Sequence, residues 1–437
     1  MKRIDVILCI KLIMGVFWTF CGEINAQVPT VNVPKPATLT PNAYIGSFDG
    51  KSINRSTEIS AAENKVINNY VSKSDENNSS VRDLQMNNYI INHISLPDFQ
   101  NMPGTEYFRA ARTELYNMLI GKQNMNIKRA IFLIENSYFM NKMSYKKYND
   151  EIQTLKNLCL LKMKEEKLNK NDDLAKKMII FRIMTDVIKV KEPGTEKTIT
   201  HYPMKYDFND YEGKKELSQL FVSKLLMTNS GQCHSMPLLF LILSEELNTD
   251  AYLAFSPLHS FIKFQDKENK WYNAELTRGA FVSDDFYMNS GFIKSESLRN
   301  KLYLDPLNKQ QIIAHLLAEL GRNYVRRYGY DNFVKQCLDI SLKYYPNDIY
   351  AYTLYADYNT ARALYVIERC GKPPKNDLPL YPQAYELYKK MHQSFAVIDS
   401  LGYEDMPSDV YQNWLKQVEK EKVRPENQPF PIKQFKN

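Results

Sequence analysis

The chain has 437 residues, of which 44% are apolar and 12% aromatic, and its formal net charge at pH 7 is +7. Chains of this length and apolar content normally bury two or three cores, which excludes a largely disordered protein. The small positive charge is interspersed with acidic residues rather than concentrated in a basic arm, so the sequence predicts no nucleic-acid partner.

Residues 1–26 have the pattern of a secretory signal peptide. Lys2 and Arg3 precede an apolar run, and Ala26 supplies a small residue before a cleavage point. We therefore expect an exported protein, periplasmic or secreted, that has no contact with the membrane once the signal is removed. Lys11 interrupts the apolar run and leaves an uncleaved anchor as the alternative.

Residues 27–100 are rich in Pro, Ser, Thr and Asn and lack a sustained apolar repeat, which predicts a leader or linker. Helical periodicity then begins, because apolar residues recur at amphipathic spacing in 130–134 and 179–184. A helix-like run follows Cys233, and short strand-like segments come after it. The predicted strands are Ala251–Phe255, Ser260–Gln265 and Trp271–Leu276. These patterns predict an α+β domain over 101–304, in which helices flank a small antiparallel sheet.

Residues 305–400 return to helical patterns that resemble tetratricopeptide repeats, which are about 34 residues long. The small, aromatic and proline residues that mark the repeats are Leu320, Gly321, Tyr324, Pro346, Leu354, Tyr355, Tyr358, Ala384 and Tyr388. An insertion around 370–379 interrupts the second unit. Two such units rarely fold alone, so we expect them to dock on the preceding domain. The sequence leaves open a peptide-binding role or ordinary helical hairpins, and 401–437 is predicted to be a C-terminal tail.

Four cysteines follow the predicted signal peptide: Cys159, Cys233, Cys337 and Cys370. They are too sparse for the disulfide framework of a small secreted domain. Cys159 and Cys337 lie in apolar helical patterns, which indicates small buried thiols. A bridge between Cys337 and Cys370 is left open.

The segment around Cys233 carries the candidate chemistry. Apolar residues at helical spacing follow it, so a helix begins near Cys233, and Pro237 supports this because proline is tolerated in a first turn. The thiol then lies at the positive end of a helix, where unpaired N–H groups and the helix dipole favour the thiolate. A nucleophilic cysteine requires this bias.

A thiolate also requires a proton partner, and His259 is the candidate. It begins a predicted strand after a turn that contains Pro257, which is a suitable place for a base beside a helix end. His234 is adjacent to Cys233, but neighbouring side chains on a helix diverge by about 100°. We therefore assign His234 a capping or supporting role.

A predicted hairpin joins the strand that begins at His259 to the strand that contains Glu275. If the hairpin closes symmetrically about Lys267, Glu275 lies directly opposite His259. A register slipped by two residues keeps the same faces and puts Thr277 opposite instead. Glu275 is thus the predicted orienting group for the imidazole, and Asn273, on the same face, is the alternate.

This arrangement resembles the transglutaminase-like branch of the papain-like cysteine superfamily. In that family a cysteine begins a helix, a histidine followed by an aromatic residue lies on a strand, and an acid follows in a Trp-x-x-x-Asp-Pro-Thr context. Cys233, His259 with Phe261, and Trp271 with Glu275 occupy these places. Glutamate replaces the family's aspartate, which lengthens the orienting side chain.

The resemblance covers residues 200–290. It implies a core in which the cysteine-bearing helix packs on a small antiparallel sheet. It also implies acyl transfer or amide hydrolysis on a protein or peptide substrate through a triad of Cys233, His259 and Glu275. The side chain of Gln232 or Asn229 would help to stabilise the oxyanion. The family context also implies a bacterial protein in which this domain precedes tetratricopeptide units.

A catalytically inactive scaffold is the alternative function, in which the same core and the helical repeats bind a protein or peptide partner. A zinc site is not predicted, because adjacent Cys233 and His234 cannot readily bind one ion and no His-Glu-x-x-His pattern occurs. No glycine-rich loop follows a strand, so a phosphate cradle is not predicted either. We therefore predict no metal and no cofactor.

Overall fold

The structure is a computed structural model that describes residues 94–289 and 291–421. The predicted signal peptide and residues 27–93 of the predicted leader lie outside the described residues. The described chain is rich in helix and contains small, mainly antiparallel sheets, in agreement with the predicted mixed class.

A group of helices precedes the first strand. These helices are α1 (Thr105–Leu119), α2 (Ile127–Tyr138), α3 (Tyr145–Glu165) and α4 (Asp173–Thr185). Side chains fix their starts, since Asn126, Ser144 and Asp172 each accept a hydrogen bond from a backbone N–H in the first turn of α2, α3 and α4 respectively. The helical pattern predicted for this region is confirmed.

Short strands and a single-turn connection lead to the cysteine. The antiparallel pair β1 (Ile188–Lys191) and β2 (Thr198–His201) comes first. Next, β3 (Lys205–Tyr206) pairs in parallel with β4 (Ser230–Gly231). Between β3 and β4 lie a 3₁₀ turn (Leu217–Leu220) and α5 (Val222–Thr228).

Helix α6 (Ser235–Glu246) is the centre of the core. Its apolar residues surround the helix, so it is buried on all sides, as such a helix must be. It packs on a four-stranded antiparallel sheet whose order follows the chain. The strands are β5 (Tyr252–Ser256), β6 (His259–Gln265), β7 (Trp271–Glu275) and β8 (Ala280–Val282).

The remaining elements are helical. They are α7 (Asp284–Met288), α8 (Ser295–Arg299), α9 (Lys309–Tyr328), α10 (Asn332–Tyr344), α11 (Ile349–Arg369), a 3₁₀ turn (Lys375–Leu380), α12 (Pro382–Ser400) and α13 (Ser408–Glu421). Short connections join successive helices from α9 to α11 into antiparallel neighbours. Helix α9, the first helix after the sheet-containing region's last short helices, packs against both α1 and α2.

Two further features concern the cysteines and the membrane. The bridge left open by the sequence is not formed, because Cys337 and Cys370 are both free thiols. Cys159 and Cys337 are fully buried, as predicted. Across the two described ranges, no helix combines the length and the apolar character needed to span a bilayer.

Candidate active site

The backbone before α6 presents Cys233. Asn229 ends α5 in the left-handed conformation, with φ at 53°, and its side-chain amide donates to the carbonyls of Tyr202 and Pro203 at 3.1 and 3.0 Å. This contact aligns β4 beside β3. The chain then turns, and α6 starts two residues after Cys233, so Pro237 lies in the first helical turn as predicted.

A glycine is required in this turn. A Cβ added to Gly231 would lie 2.5 Å from Ser235 Oγ and 3.0 Å from Leu225 Cδ1. Ser235 Oγ is already engaged, since it accepts a hydrogen bond from the Gln232 N–H at 3.1 Å. The close approach constrains the backbone two residues before Cys233.

His259 begins β6 immediately after a two-residue turn in which Leu258 has a φ of 55°. Both of its chain neighbours contact Cys233. Ser260 Oγ donates to the Cys233 carbonyl at 2.5 Å, and the Leu258 carbonyl lies 4.0 Å from Cys233 Sγ. The structure therefore brings the predicted cysteine and histidine together.

Glu275 holds the imidazole. His259 Nε2 lies 2.7 Å from Glu275 Oε2. Both residues are buried, since only 5% of the surface of His259 and 1% of that of Glu275 is exposed. The other contacts of the carboxylate come from the Thr277 N–H at 2.9 Å and the Tyr287 hydroxyl at 3.0 Å. With Nε2 committed to Glu275, Nδ1 has no hydrogen-bond partner among the described residues and is the nitrogen left for the thiol.

The hairpin adopts the second of the two predicted registers. Ile262 pairs with Ala274, and extending this pairing to the start of β6 places Thr277, not Glu275, opposite His259. Glu275 is a diagonal neighbour on the same face, and its longer side chain spans the diagonal of about 7–8 Å.

The symmetric register is wrong because of the loop. Asp266 accepts hydrogen bonds from the N–H groups of Glu268 and Lys270 at 3.0 and 2.9 Å. Asn269 turns the chain with a φ of 62°. These contacts close a loop over 266–270 rather than the shorter loop that symmetry about Lys267 requires.

The electrostatics favour a thiolate–imidazolium pair. Burial opposes ionisation of Cys233, but the positive charge of His259 and a hydrogen bond from Tyr411 outweigh it, so the pKa of the thiol is lowered. Burial also opposes the charged form of His259, yet the charges of Glu275 and Cys233 raise its pKa. The pKa of Glu275 is lowered despite burial, because it faces His259 and is hydrogen-bonded.

The C-terminal helix supplies aromatic residues that sequence reasoning missed. Tyr411 Oη lies 3.4 Å from Cys233 Sγ, and the Trp414 ring meets the His259 ring edge-on with centroids 4.9 Å apart. Both residues lie in the segment predicted to be a tail. The signal was present, because the buried residues Tyr411 and Leu415, with Trp414 between them, fall at amphipathic helical spacing.

The predicted alternate orienting group and the two predicted oxyanion residues have different surroundings. Asn273 donates to Asp284 Oδ1 at 2.7 Å and does not contact the imidazole. The Asn229 amide is committed to two carbonyls, so it is not available to an oxyanion. Gln232 is completely buried, and neither polar atom of its side chain has a hydrogen-bond partner among the described residues. Such an amide is unusual and is free to serve a ligand.

His234 faces away from the thiol, as predicted. Its Nδ1 lies 3.0 Å from the Leu220 carbonyl and its Nε2 lies 2.5 Å from Glu319 Oε1. Behind Glu319, His315 lies between that carboxylate and Asp348, at 3.3 and 3.0 Å. This chain of alternating charges connects α9 and the start of α11 to the turn that carries Cys233.

The described residues offer no obvious metal centre. In residues 94–289 and 291–421, no three side chains of His, Cys, Asp or Glu are arranged to hold a metal ion.

Comparisons with known proteins add little to this geometry. No family model matches the chain, and no curated protein matches it. A solved structure described as "Crystal structure of menin reveals the binding site for Mixed Lineage Leukemia (MLL) protein" is similar over 72% of this chain and 88% of that chain, with 13% sequence identity and a TM-score of 0.30. A likeness at this level carries no argument, so the site is interpreted from its own residues.

Proposed function

We propose that this protein is a thiol-dependent acyl transferase or amide hydrolase that uses Cys233, His259 and Glu275. The observation that carries the proposal is the buried 2.7 Å contact between Glu275 and His259 Nε2, which leaves Nδ1 for Cys233. A cysteine, a base and a group that orients the base form a nucleophilic triad. A purely structural histidine has no need of an unpartnered ring nitrogen beside a thiol.

The reaction follows from these positions. The Cys233 thiolate attacks a carbonyl carbon and forms the C–S bond, and the imidazolium of His259 gives its proton to the leaving amine as the C–N bond breaks. Neutral His259 then takes a proton from water or an acceptor amine, which attacks the thioester and releases the thiolate. Glu275 offsets the positive charge of the ring throughout.

Gln232 is the proposed oxyanion donor. Its buried amide precedes Cys233 directly and has no other partner among the described residues, so its N–H₂ group can face the oxygen of a tetrahedral intermediate. The backbone N–H of Cys233 is the second donor. Preorganised donors of this kind act strongly because water is excluded around them.

We also propose a fold family, a role for the helical region, a substrate class and a location for this protein. A cysteine before a buried helix, packed on an antiparallel sheet that bears the histidine, supports a papain-like, transglutaminase-like core. The hairpins from α9 to α12 support tetratricopeptide-like repeats that bind a peptide. We propose a protein or peptide substrate, and export of the protein to the periplasm or the exterior.

Trapping the acyl intermediate tests the function. The full chain is incubated with a p-nitrophenyl ester, quenched in acid and digested, and the mass of the Cys233 peptide is measured. The proposal predicts a thioester on Cys233 in the wild type that is absent in Cys233→Ser and strongly reduced in His259→Gln. An equal yield in the wild type and in His259→Gln would instead favour the inactive scaffold.

A further inference from the structure

The last described helix fills the place that a substrate must take. Reacting atoms must approach within about 3–3.5 Å for attack. The Tyr411 hydroxyl, 3.4 Å from Cys233 Sγ, already occupies that shell. Trp414 lies against the ring of His259, and it stacks on Tyr411 with centroids 5.7 Å apart. An acyl group and these two side chains exclude one another.

The atoms that a substrate must reach are sealed while α13 is docked. His259 Nδ1 and the side-chain amide of Gln232 are buried, although both must touch a substrate or its oxyanion. Tyr411 and Leu415 are each only 2% exposed and belong to the main core. With α13 in place, no substrate reaches the base.

The chain just before α13 is anchored independently of the site. The Asn300 side chain donates to the Leu401 carbonyl at 3.0 Å. Gly402, with a φ of 85°, lies so close to α8 that an added Cβ would be 2.6 Å from the Ser297 nitrogen. The irregular segment 403–407 then connects this anchor to α13. Met406 in this segment is buried in the main core, so α13 and Met406 would leave the cleft around Cys233 and His259 together while the attachment at 401–402 stays fixed.

We infer that α13 is a built-in competitor of substrate, which closes the site when docked and must leave before an acyl group reaches Cys233. This inference rests on the proposed function, because it assigns the regulation of the same site. The residues that receive Tyr411 and Trp414 also indicate the substrate class. The ring centroids of Tyr211 and Tyr411 are 5.6 Å apart, and those of Phe286 and Trp414 are 6.1 Å apart. The cleft around Cys233 and His259 is therefore built for aromatic side chains. The displacing substrate is a polypeptide that presents an aromatic residue.

Undocking the helix tests the inference without turnover. Leu415→Asp places a charge in the core face of α13, and Asn413→Asp places the same charge on its exposed face as the matched control. The rate of alkylation of Cys233 by a bulky neutral maleimide is followed in the full chain by peptide mass spectrometry. We expect Leu415→Asp to raise this rate about tenfold or more, because the open state becomes populated, and Asn413→Asp to leave it within about twofold. Equal rates in all three proteins would overturn the inference.

A peptide of residues 405–421 provides the second arm. Added to Leu415→Asp, it should slow the alkylation again, and a peptide carrying Tyr411→Ala and Trp414→Ala should not. If the peptide with both aromatic residues has no effect, the aromatic cleft is refuted.

A measurement on the wild type tests the inference even if Leu415→Asp fails to fold. A maleimide attached to Cys233 must displace Tyr411, so hydrogen exchange over 408–421 should accelerate after labelling. Unchanged exchange would contradict the inference. Each of these outcomes compares proteins that all keep His259. The proposed function fails instead when His259→Gln, added to the open variant Leu415→Asp, leaves acylation of Cys233 unaltered, so the two failures are distinguishable.

Discussion

Removal of the Glu275 charge is the perturbation whose effect the structure defines best. Glu275→Gln keeps the size of the side chain but removes the carboxylate that faces His259 Nε2 at 2.7 Å. Two unit charges whose centres are about 4 Å apart interact with about 4 kcal/mol at an effective dielectric constant of 20. If neighbouring dipoles compensate for half of this energy, the substitution removes about 2 kcal/mol of the stabilisation of the thiolate–imidazolium pair. This loss corresponds to a roughly 30-fold smaller thiolate fraction.

The assay is alkylation of Cys233 by iodoacetamide at pH 6, resolved by peptide mass spectrometry. We expect Glu275→Gln to lower the rate about 30-fold, and Asn273→Ala to leave it within about twofold, because Asn273 is bonded to Asp284 instead of the imidazole. Free energies of unfolding measured in parallel show whether each variant is folded. Equal rates for the wild type and Glu275→Gln, with both folded, would refute the coupling between the carboxylate and the thiol.

Other substitutions probe the surrounding structure. Gly231→Ala should lower the free energy of unfolding, measured by urea denaturation, by about 1–3 kcal/mol. Gly321→Ala is the control and should not lower it, because an added Cβ there has only ordinary contacts from 3.6 Å. Gln232→Ala should reduce turnover of an acyl probe about 10²–10³-fold without changing the alkylation rate of Cys233, because only turnover forms an oxyanion, and a parallel fall in both would contradict its role. Burial opposes the charge of His315, but its two carboxylate neighbours raise its pKa from 6.5 to about 10. The stability that it contributes is therefore complete below pH 6.5 and lost as the pH rises towards 10, so the destabilisation by His315→Gln should shrink over that range; a difference that grows with pH would contradict this assignment.

The local parts of the site were predictable because they depend on neighbouring residues. Pro237 and the apolar run after it set the start of α6, and alternation along β6 and β7 put His259 and Glu275 on one face. The exact register was not predictable, since the carboxylate of Asp266 closes the loop by hydrogen bonds that periodicity does not contain.

The distant parts of the site were not predictable from spacing. Tyr411 reaches Cys233 from 178 positions away, and Glu319 reaches His234 from 85 positions away. The amphipathic pattern of α13 identifies a helix that needs a partner surface, but it does not say which surface. Contacts of this kind depend on how helices pack, and packing is decided by the whole core.

The ionisation of Cys233 tests the central claim most directly. The rate of its alkylation by iodoacetamide is measured against pH in the wild type and in His259→Gln. Because His259 stabilises the thiolate, the wild type should react with a midpoint well below the ordinary thiol pKa of about 8.5, and His259→Gln should move the midpoint upward. An ordinary midpoint that is the same in both proteins would contradict a thiolate–imidazolium pair at this site.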